Sequence, residues 1–502
     1  LSDFPDNLGD VIPRDGGDAT AIIDLGGEGG PRDYSYRAID EMAAGVAAGL
    51  TKRGLQRGDS VAIVSMNRAE YLIAFLGIMR AGMVAVPVNF KLPRATIEHI
   101  LRDSDAKLVF CDAGRAALMP AELPHILFNR DGKDAFAAFA QGSFDPIHPA
   151  NSEPALILYT SGSSGTPKGV VLSHQSHLWV LRARPRPPGA GGQHVLVAAP
   201  LYHMNGLGTS QGTLNQRNVI VILPSFTAAS YLDAIDRYKC SVVTAVPPMI
   251  AMALREEEIV RRSDLTSVKL IRVGSAPVSQ VLIDATHEAF PNAAIFNAYG
   301  TTEAGPVVFG PHPKGLPTPA LSPGYPHPEV QMRLGAEDKG GSAEGVLQMK
   351  CPALMNGYRN RPDATRAVMT DDGLYITGDL FSRDADGFYY FVGRADDMFV
   401  SSGENVYPTE VERMLEQHPD IDQASVVPVP DDIKGTKPVA FVVRKPGTGI
   451  TEQAIKEFAL KNAAPYLHPR RVWFLDDLPL AGTNKIDRKA LMAMAAELVT
   501  RD

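Results

Sequence analysis

Continuous apolar runs of strand length alternate with helical stretches through the first two-thirds of the chain, and no other feature restricts the fold as much. HVLVAAP (194–200), NVIVIL (218–223) and SVVTAV (241–246) are examples. Runs this short and this uniformly apolar fit strands buried on both faces, as in a mainly parallel sheet layered between helices. Upstream, Ile39, Met42, Val46 and Leu50 recur at helical spacing and Gly54 follows as a stop. GDSVAIVSM (58–66) then reads as a buried strand, and the next helix carries Tyr71, Leu72 and Phe75. The fold class is therefore α/β. At 502 residues the chain should divide into about three packed units.

Two segments break the rhythm. RPRPPGAGGQH (184–194) is too rich in Pro and Gly for helix or central strand and reads as a loop. GPHPKGLPTPALSPGYPHP (310–328) holds seven prolines and closes the second α/β unit. After it, EVQMRL, GVLQMK and GFYYFVG read as short strands of a small β-rich unit. Beyond GRADDM (393–398) the pattern becomes mixed, with helices in PTEVERMLEQ and EQAIKEFALK and strands in ASVVPV and VAFVVR. A large domain over 1–395 and a small α+β domain over 396–502 are expected.

Composition removes several functions. The chain is 45% hydrophobic and 21% charged, which excludes disordered and fibrous classes. Its 57 acidic residues outnumber 49 basic ones, for a net charge of −8, so no basic face is available for nucleic acid. Cys111, Cys240 and Cys351 lie too far apart in sequence for a CxxC metal or redox site and are expected to be buried apolar residues. The N-terminal LSDFPDNLGD lacks a signal-peptide pattern, the C-terminal LVTRD is not a peroxisomal address, and AFLGIMRAGMVAVPV (74–88) is too short and too interrupted by Arg80 to span a membrane. The expectation is a cytoplasmic enzyme without a membrane span; its assembly state, a homodimer among the options, is left open.

Chemistry concentrates in LILYTSGSSGTPKGVVLSH (156–174), where a strand feeds small hydroxyl and glycine residues ending at Lys168. Glycines let a backbone approach a phosphate, and hydroxyls with free N–H groups bond its oxygens. Walker A loops place Gly directly before the Lys; Pro167 stands here, so this is not an ordinary P-loop. With PLYHMNG (200–206), NAYGTTEAG (297–305), YITGDL (375–380), GRADDMFVSSGENVYPTEVE (393–412) and NKIDRK (484–489) following in order, the chain resembles the adenylate-forming superfamily of acyl- and aryl-CoA synthetases, luciferases and peptide-synthetase adenylation domains. That resemblance implies a large N-terminal domain of two α/β subdomains plus a small β-barrel, and a mobile C-terminal lid. It implies an ATP-dependent acid–thiol ligase: carboxylate, ATP and coenzyme A give acyl-CoA, AMP and pyrophosphate through an acyl-adenylate, with Mg²⁺. Neither step needs a protein nucleophile, only positioning and charge stabilisation, and the sequence has no GxSxG elbow.

The resemblance also distributes roles. Thr160, Ser161, Gly162, Ser163, Ser164, Gly165, Thr166 and Lys168 would hold phosphates; Gly274, Ser275 and Ala276 of GSAP would face the adenine, opposite a flat ring at Tyr299. Asn297, Gly300, Thr301 and Thr302 complete the nucleotide motif, and Glu303 is a hard oxygen ligand suited to Mg²⁺. Asp379 would accept the ribose hydroxyls, Arg394 would reach ribose or phosphate, and Lys485 would balance charge during adenylation, with Thr302 and His203 as its catalytic companions. The acid pocket would comprise His203, Met204 and Asn205 together with Thr244, Ser275, Ala298 and Gly305. Since only His203 among these could carry positive charge, an aromatic or medium-chain acid with a neutral tail is expected. Ser402, Gly403 and Glu404 would line the CoA tunnel and Asp396 would be the hinge.

The chain departs from the family pattern at Ser402, in DDIKGTKP (431–438), which lacks a common tryptophan, and in YLHPRR (466–471), which lacks a common lysine. These bear on the acceptor, for which loading of a carrier protein is the alternative to CoA; nucleotide binding without catalysis is a further alternative, against which Lys485, Asp379 and Glu303 together speak. YHMNG, lacking an aspartate for an α-amino group, argues against amino-acid activation.

Overall fold

The computed structural model describes residues 4–27, 30–129, 132, 135–160, 166–184, 191–335, 343–401, 403–431 and 435–501. The helix read from Ile39, Val46 and Leu50 spans Tyr36–Lys52, with those three residues fully buried and Ser35 capping its start by accepting from the Ala38 N–H. The next helix, Ala69–Arg80, is buried along its whole length. Arg80, which interrupts the apolar run, is only 2% exposed; it pairs with Asp40 and bonds the Gly9 carbonyl. No helix among the described residues is long and apolar enough to cross a membrane.

Two seven-stranded sheets dominate the first four hundred residues. In the first, Ser60–Val64 lies between Val84–Pro87 and Ala106–Cys111, all parallel. Pro154–Thr160 pairs in parallel with Val84–Pro87 and antiparallel with Lys168–Ser173. Too few residues separate Thr160 from Lys168 for a parallel crossover, in keeping with the antiparallel pairing of these two strands. In the second sheet Val242–Ala245, Leu270–Gly274 and Ala294–Ala298 run parallel at one edge. Their carboxyl ends carry GSAP and NAYGTTEAG, the location where open α/β sheets bind ligands.

The β-rich unit is a four-stranded antiparallel sheet of Gln331–Gly335, Ala343–Lys350, Tyr375–Arg383 and Tyr389–Arg394. No pairing among the described residues closes it into the expected barrel. The chain then turns at 395–397, where the Ala395 N–H donates to the Gly378 carbonyl, and a separate sheet starts at Phe399–Ser401. Three apolar cores lie before this turn and two after it, and none of the five crosses it.

Cys111, Cys240 and Cys351 are buried and unbridged, and burial pushes their thiols up to about 12, 12 and 11.

Candidate active site

Asp379 and Arg394 face each other on antiparallel strands, which fixes their contact by register. Arg394 Nη1 donates to Asp379 Oδ1 at 2.9 Å, and its Nε and Nη2 donate to Asp396 at 2.9 and 3.1 Å. The second Asp379 oxygen accepts from the Tyr299 hydroxyl at 2.5 Å. Asp379 is 6% exposed; burial raises its pKa and Arg394 opposes the rise. Both carboxylate oxygens thus have protein partners, and each keeps a further lone pair for a ligand hydroxyl. The Tyr299 ring stands edge-on to Phe381 at 4.8 Å, which holds it upright at the rim of the apolar core. Arg394 sits above its ordinary pKa: burial works against the charge, and the Asp396 and Asp379 partners outweigh it.

Lys485 enters from the C-terminal unit on a tight turn. The Leu480–Ile486 bridge closes that turn, Asn484 takes a left-handed φ of 60°, and the Ala481 N–H donates to the Lys485 carbonyl. Asn tolerates this conformation better than most residues. The turn seats on the body through Tyr202, whose hydroxyl donates to the Gly482 carbonyl at 2.7 Å. A Cβ at Gly482 would come within 2.7 Å of the Asn89 amide, so glycine allows this approach. Lys485 remains exposed to solvent, yet it acts electrostatically on His203 and feels Asp379 and Arg394. Crowding holds its pKa below the ordinary lysine value, with Arg394 adding to that effect and Asp379 opposing it.

Burial, with Lys485 nearby, pushes the His203 imidazole down to about 3, so it is neutral at physiological pH. Its Nε2 is buried without a hydrogen-bond partner among the described residues. Beside it, Met204 Sδ lies 3.2 Å from the His177 Nε2. Asn205 accepts from Thr209 at 3.5 Å, a long contact. Thr244 is 2% exposed with an unpartnered hydroxyl.

In the nucleotide motif, Thr301 accepts from the Ala304 N–H and its own N–H donates to the Gly305 carbonyl, closing a turn around Glu303. Gly305 adopts φ 76°, which disfavours any side chain there, and a Cβ at Gly300 would press on the Gly305 carbonyl. Thr302 is partly exposed beside this turn, and Ala298 ends its strand next to Gly274. Glu303 is buried and accepts from the Tyr358 hydroxyl at 2.9 Å. The Lys168 ammonium lies 4.7 Å from the Tyr358 ring, at the same corner as Glu303. Asn297 donates to the Leu321 carbonyl and so ties the proline-rich segment to the sheet. Ser275 has a left-handed φ of 66° and is exposed, with Gly274 and Ala276 flanking it. Thr160 pairs with Lys168 at the end of the ladder, and Thr166 is partly exposed. Ser161, Gly162, Ser163, Ser164, Gly165 and Ser402 lie outside the described residues.

The structure therefore brings Lys485, His203, Asp379, Arg394 and Tyr299 into one neighbourhood. Gly403 and Glu404 are exposed on the hairpin Phe399–Ser401/Glu404–Val406, with no hydrogen bond or ion pair among the described residues tying them to that group. Sequence reasoning missed Tyr202, Tyr358, Arg184 and Arg272. Tyr202 lies beside a motif histidine and was within reach of the reading. Arg272 is a cation inside the apolar strand Leu270–Gly274, a signal in itself.

Comparison with known proteins adds to this geometry. Residues 11–359 match the family of AMP-binding enzymes and residues 410–485 match the AMP-binding enzyme C-terminal domain. A 4-coumarate–CoA ligase-like protein of Oryza sativa subsp. japonica is 31% identical, covering 93% of this chain and 83% of its own length. 4-Coumarate–CoA ligase 2 of Solanum tuberosum is 31% identical over 93% of this chain and 89% of its own. Among solved structures, the anthranilate CoA ligase AuaEII in complex with anthranoyl-AMP superposes with a TM-score of 0.88 at 25% identity, covering 99% of this chain and 98% of that one. ATP-bound MatB from Rhodopseudomonas palustris gives 0.85 at 28% identity, covering 98% and 99%.

Proposed function

This chain belongs to the AMP-binding enzyme family, and we propose that it is an AMP-forming acid–CoA ligase whose acid is an aromatic carboxylate. The observation that carries the reading is the seating of Lys485, on its turn from the C-terminal unit, within electrostatic reach of His203, Asp379 and Arg394. Similarity to 4-coumarate–CoA ligases and to an anthranilate CoA ligase supports an aromatic acid.

In the first half-reaction a carboxylate oxygen attacks the α-phosphorus of ATP, the bond to the bridging oxygen breaks, and pyrophosphate leaves. Tyr299 and the GSAP segment flank the adenine, Asp379 accepts the ribose hydroxyls, and Arg394 and Lys485 offset negative charge that builds at the α-phosphate. A cation about 4 Å away contributes roughly 4 kcal/mol at an effective dielectric near 20. His203, being neutral, orients the acid by hydrogen bonding through its free Nε2 rather than by charge. Mg²⁺ binds through one or two carboxylates plus substrate phosphates. Glu303 fits that requirement, with one oxygen on Tyr358 and the other available. Held there, the ion would supply positive charge against the substrate phosphates.

In the second half-reaction the CoA thiolate attacks the acyl carbon and AMP leaves with the electron pair. Asp396, in the turn between the separate cores, is the hinge about which the lid exchanges the Lys485 turn for the segment at Ser402, Gly403 and Glu404. Incubation with ATP, Mg²⁺, CoA and a panel of benzoate- and cinnamate-class acids should yield AMP and thioester in equal amounts. Absence of AMP with every acid would overturn the ligase reading. AMP without thioester would retain adenylation and remove CoA as acceptor, which the departures at 431–438 and 466–471 make the sharpest secondary test.

A further inference from the structure

Arg272 occupies the middle of the strand Leu270–Gly274 and lies in parallel register between Thr244 and Phe296. Register partners in a parallel sheet share a face. Their chain neighbours Ile271, Val273, Val243 and Ala245 fill an apolar core, so Arg272 and Thr244 point to the opposite face, that of the acid pocket. Among the described residues Arg272 has no hydrogen bond or ion pair, although it is only partly exposed. Arg184 lies within electrostatic reach of it. One Arg184 nitrogen donates to the Pro306 carbonyl at 3.0 Å, directly after the pocket residue Gly305. Burial and the neighbouring Arg272 push Arg184 down to about 10, and no carboxylate faces either guanidinium among the described residues.

Four other part-buried arginines are each paired with a carboxylate. Arg68 pairs with Glu70 and Asp112, Arg80 with Asp40, Arg394 with Asp379 and Arg488 with Glu412. Two clustered cations without a counter-charge are unfavourable in a protein interior. An anionic ligand group would remove that cost. The distance along the strand fits: Arg272 lies two residues before Gly274, so its Cα stands about 7 Å back from the nucleotide-facing end of the pocket.

Resting on the ligase reading above, we propose that Arg272, backed by Arg184, forms the distal wall of the acid pocket and selects acids that carry a second oxyanion at the end remote from the activated carboxylate. This replaces the neutral tail expected when His203 was the only cation in view. It also requires a spacer: a rigid ring can separate two carboxylates enough to reach both ends, whereas malonate cannot.

The test uses matched pairs, 4-carboxycinnamate against 4-methylcinnamate and terephthalate against 4-methylbenzoate, followed by AMP release. The wild-type enzyme should favour the diacid of at least one pair by tenfold or more in kcat/KM, a roughly 1.4 kcal/mol preference. Arg272→Gln should cut the diacid's kcat/KM by about a hundredfold, mainly through KM, while the methyl analogue stays within about threefold; Arg272→Lys should restore part of the loss. A wild-type preference for the methyl analogues in both pairs would overturn the proposal whether or not the variants fold. So would an equal loss for both acids in Arg272→Gln, which marks a structural role. AMP from methyl analogues alone refutes this inference and leaves the ligase standing; no AMP from any acid refutes both.

Discussion

Glu416 lies at the end of the lid helix Pro408–Leu415, where it accepts from the Ala424 N–H and meets Ser279 of the body. Burial pushes its carboxyl up from 4.5 to about 7; Glu412 and Asp422 add to the rise, and the Ala424 and Ser279 hydrogen bonds oppose it. Arg413, the nearest cation on the same helix, is itself held below its ordinary value by burial. The sign follows from proton linkage. Because the folded state binds the proton more tightly than the unfolded chain does, stability is greatest below the unfolded pKa and falls as pH rises through the folded one. At roughly 1.4 kcal/mol per pH unit the full loss is about 3 kcal/mol, most of it between pH 5 and pH 8. Glu416→Gln keeps the shape and removes the titration. Urea unfolding at pH 5, 6, 7 and 8 should therefore show the wild-type free energy declining relative to the variant by about 3 kcal/mol across the range. Parallel pH profiles for the two proteins would refute the reasoning, because they would mean that Glu416 ionises as readily folded as unfolded.

Other outcomes bear on catalysis. Lys485→Ala should lower AMP formation from acid and ATP by about a thousandfold, the equivalent of roughly 4 kcal/mol, while thioester formation from supplied acyl-adenylate persists; equal loss in both assays would remove Lys485 from the adenylation step. Asp396→Pro fixes φ at the turn and removes the Arg394 partner, so quenched-flow assays should find acyl-adenylate accumulating with little thioester, and unchanged turnover would place the hinge elsewhere. Tyr299→Phe deletes one of the two side-chain donors to Asp379 and should raise the KM for ATP several-fold with little change in kcat; an unaltered KM would show that Arg394 alone suffices to orient the carboxylate.

Much of the fold was legible because its signals are local. The stripe Ile39, Val46 and Leu50, the cap at Ser35 and the stop at Gly54 define a helix without reference to anything distant. The nucleotide motifs are legible for the same reason: Thr301 and Gly305 close their turn within five residues, and Asn484 shapes the Lys485 turn. What was not legible depends on register between remote strands or on docking between cores. Arg272 becomes a pocket residue only when Leu270–Gly274 is laid beside Val242–Ala245. Arg184 opens the Pro- and Gly-rich segment, whose local pattern says only that it is a loop, and its bond to Pro306 spans more than a hundred residues. The neutrality of His203 follows from its surroundings after folding, which a histidine in a motif does not disclose.

The apolar cores on either side of 395–397 do not merge, and polar contacts join the C-terminal unit to the body. Arg255 is the centre of one, donating to Asp422 at 2.6 Å and to Gln423 at 2.7 Å while pairing with Asp477. Such a fastening responds to dissolved ions, since salt screens ion pairs that have an exposed partner such as Asp477, 66% accessible. Added salt should therefore loosen the adenylating pose without touching the chemistry inside it. If departure of the lid limits turnover, moderate salt accelerates the enzyme; if adenylation limits it, the same salt slows it. Ionic strength thus becomes a kinetic probe of which step governs the cycle, and Arg255→Ala should erase most of the response.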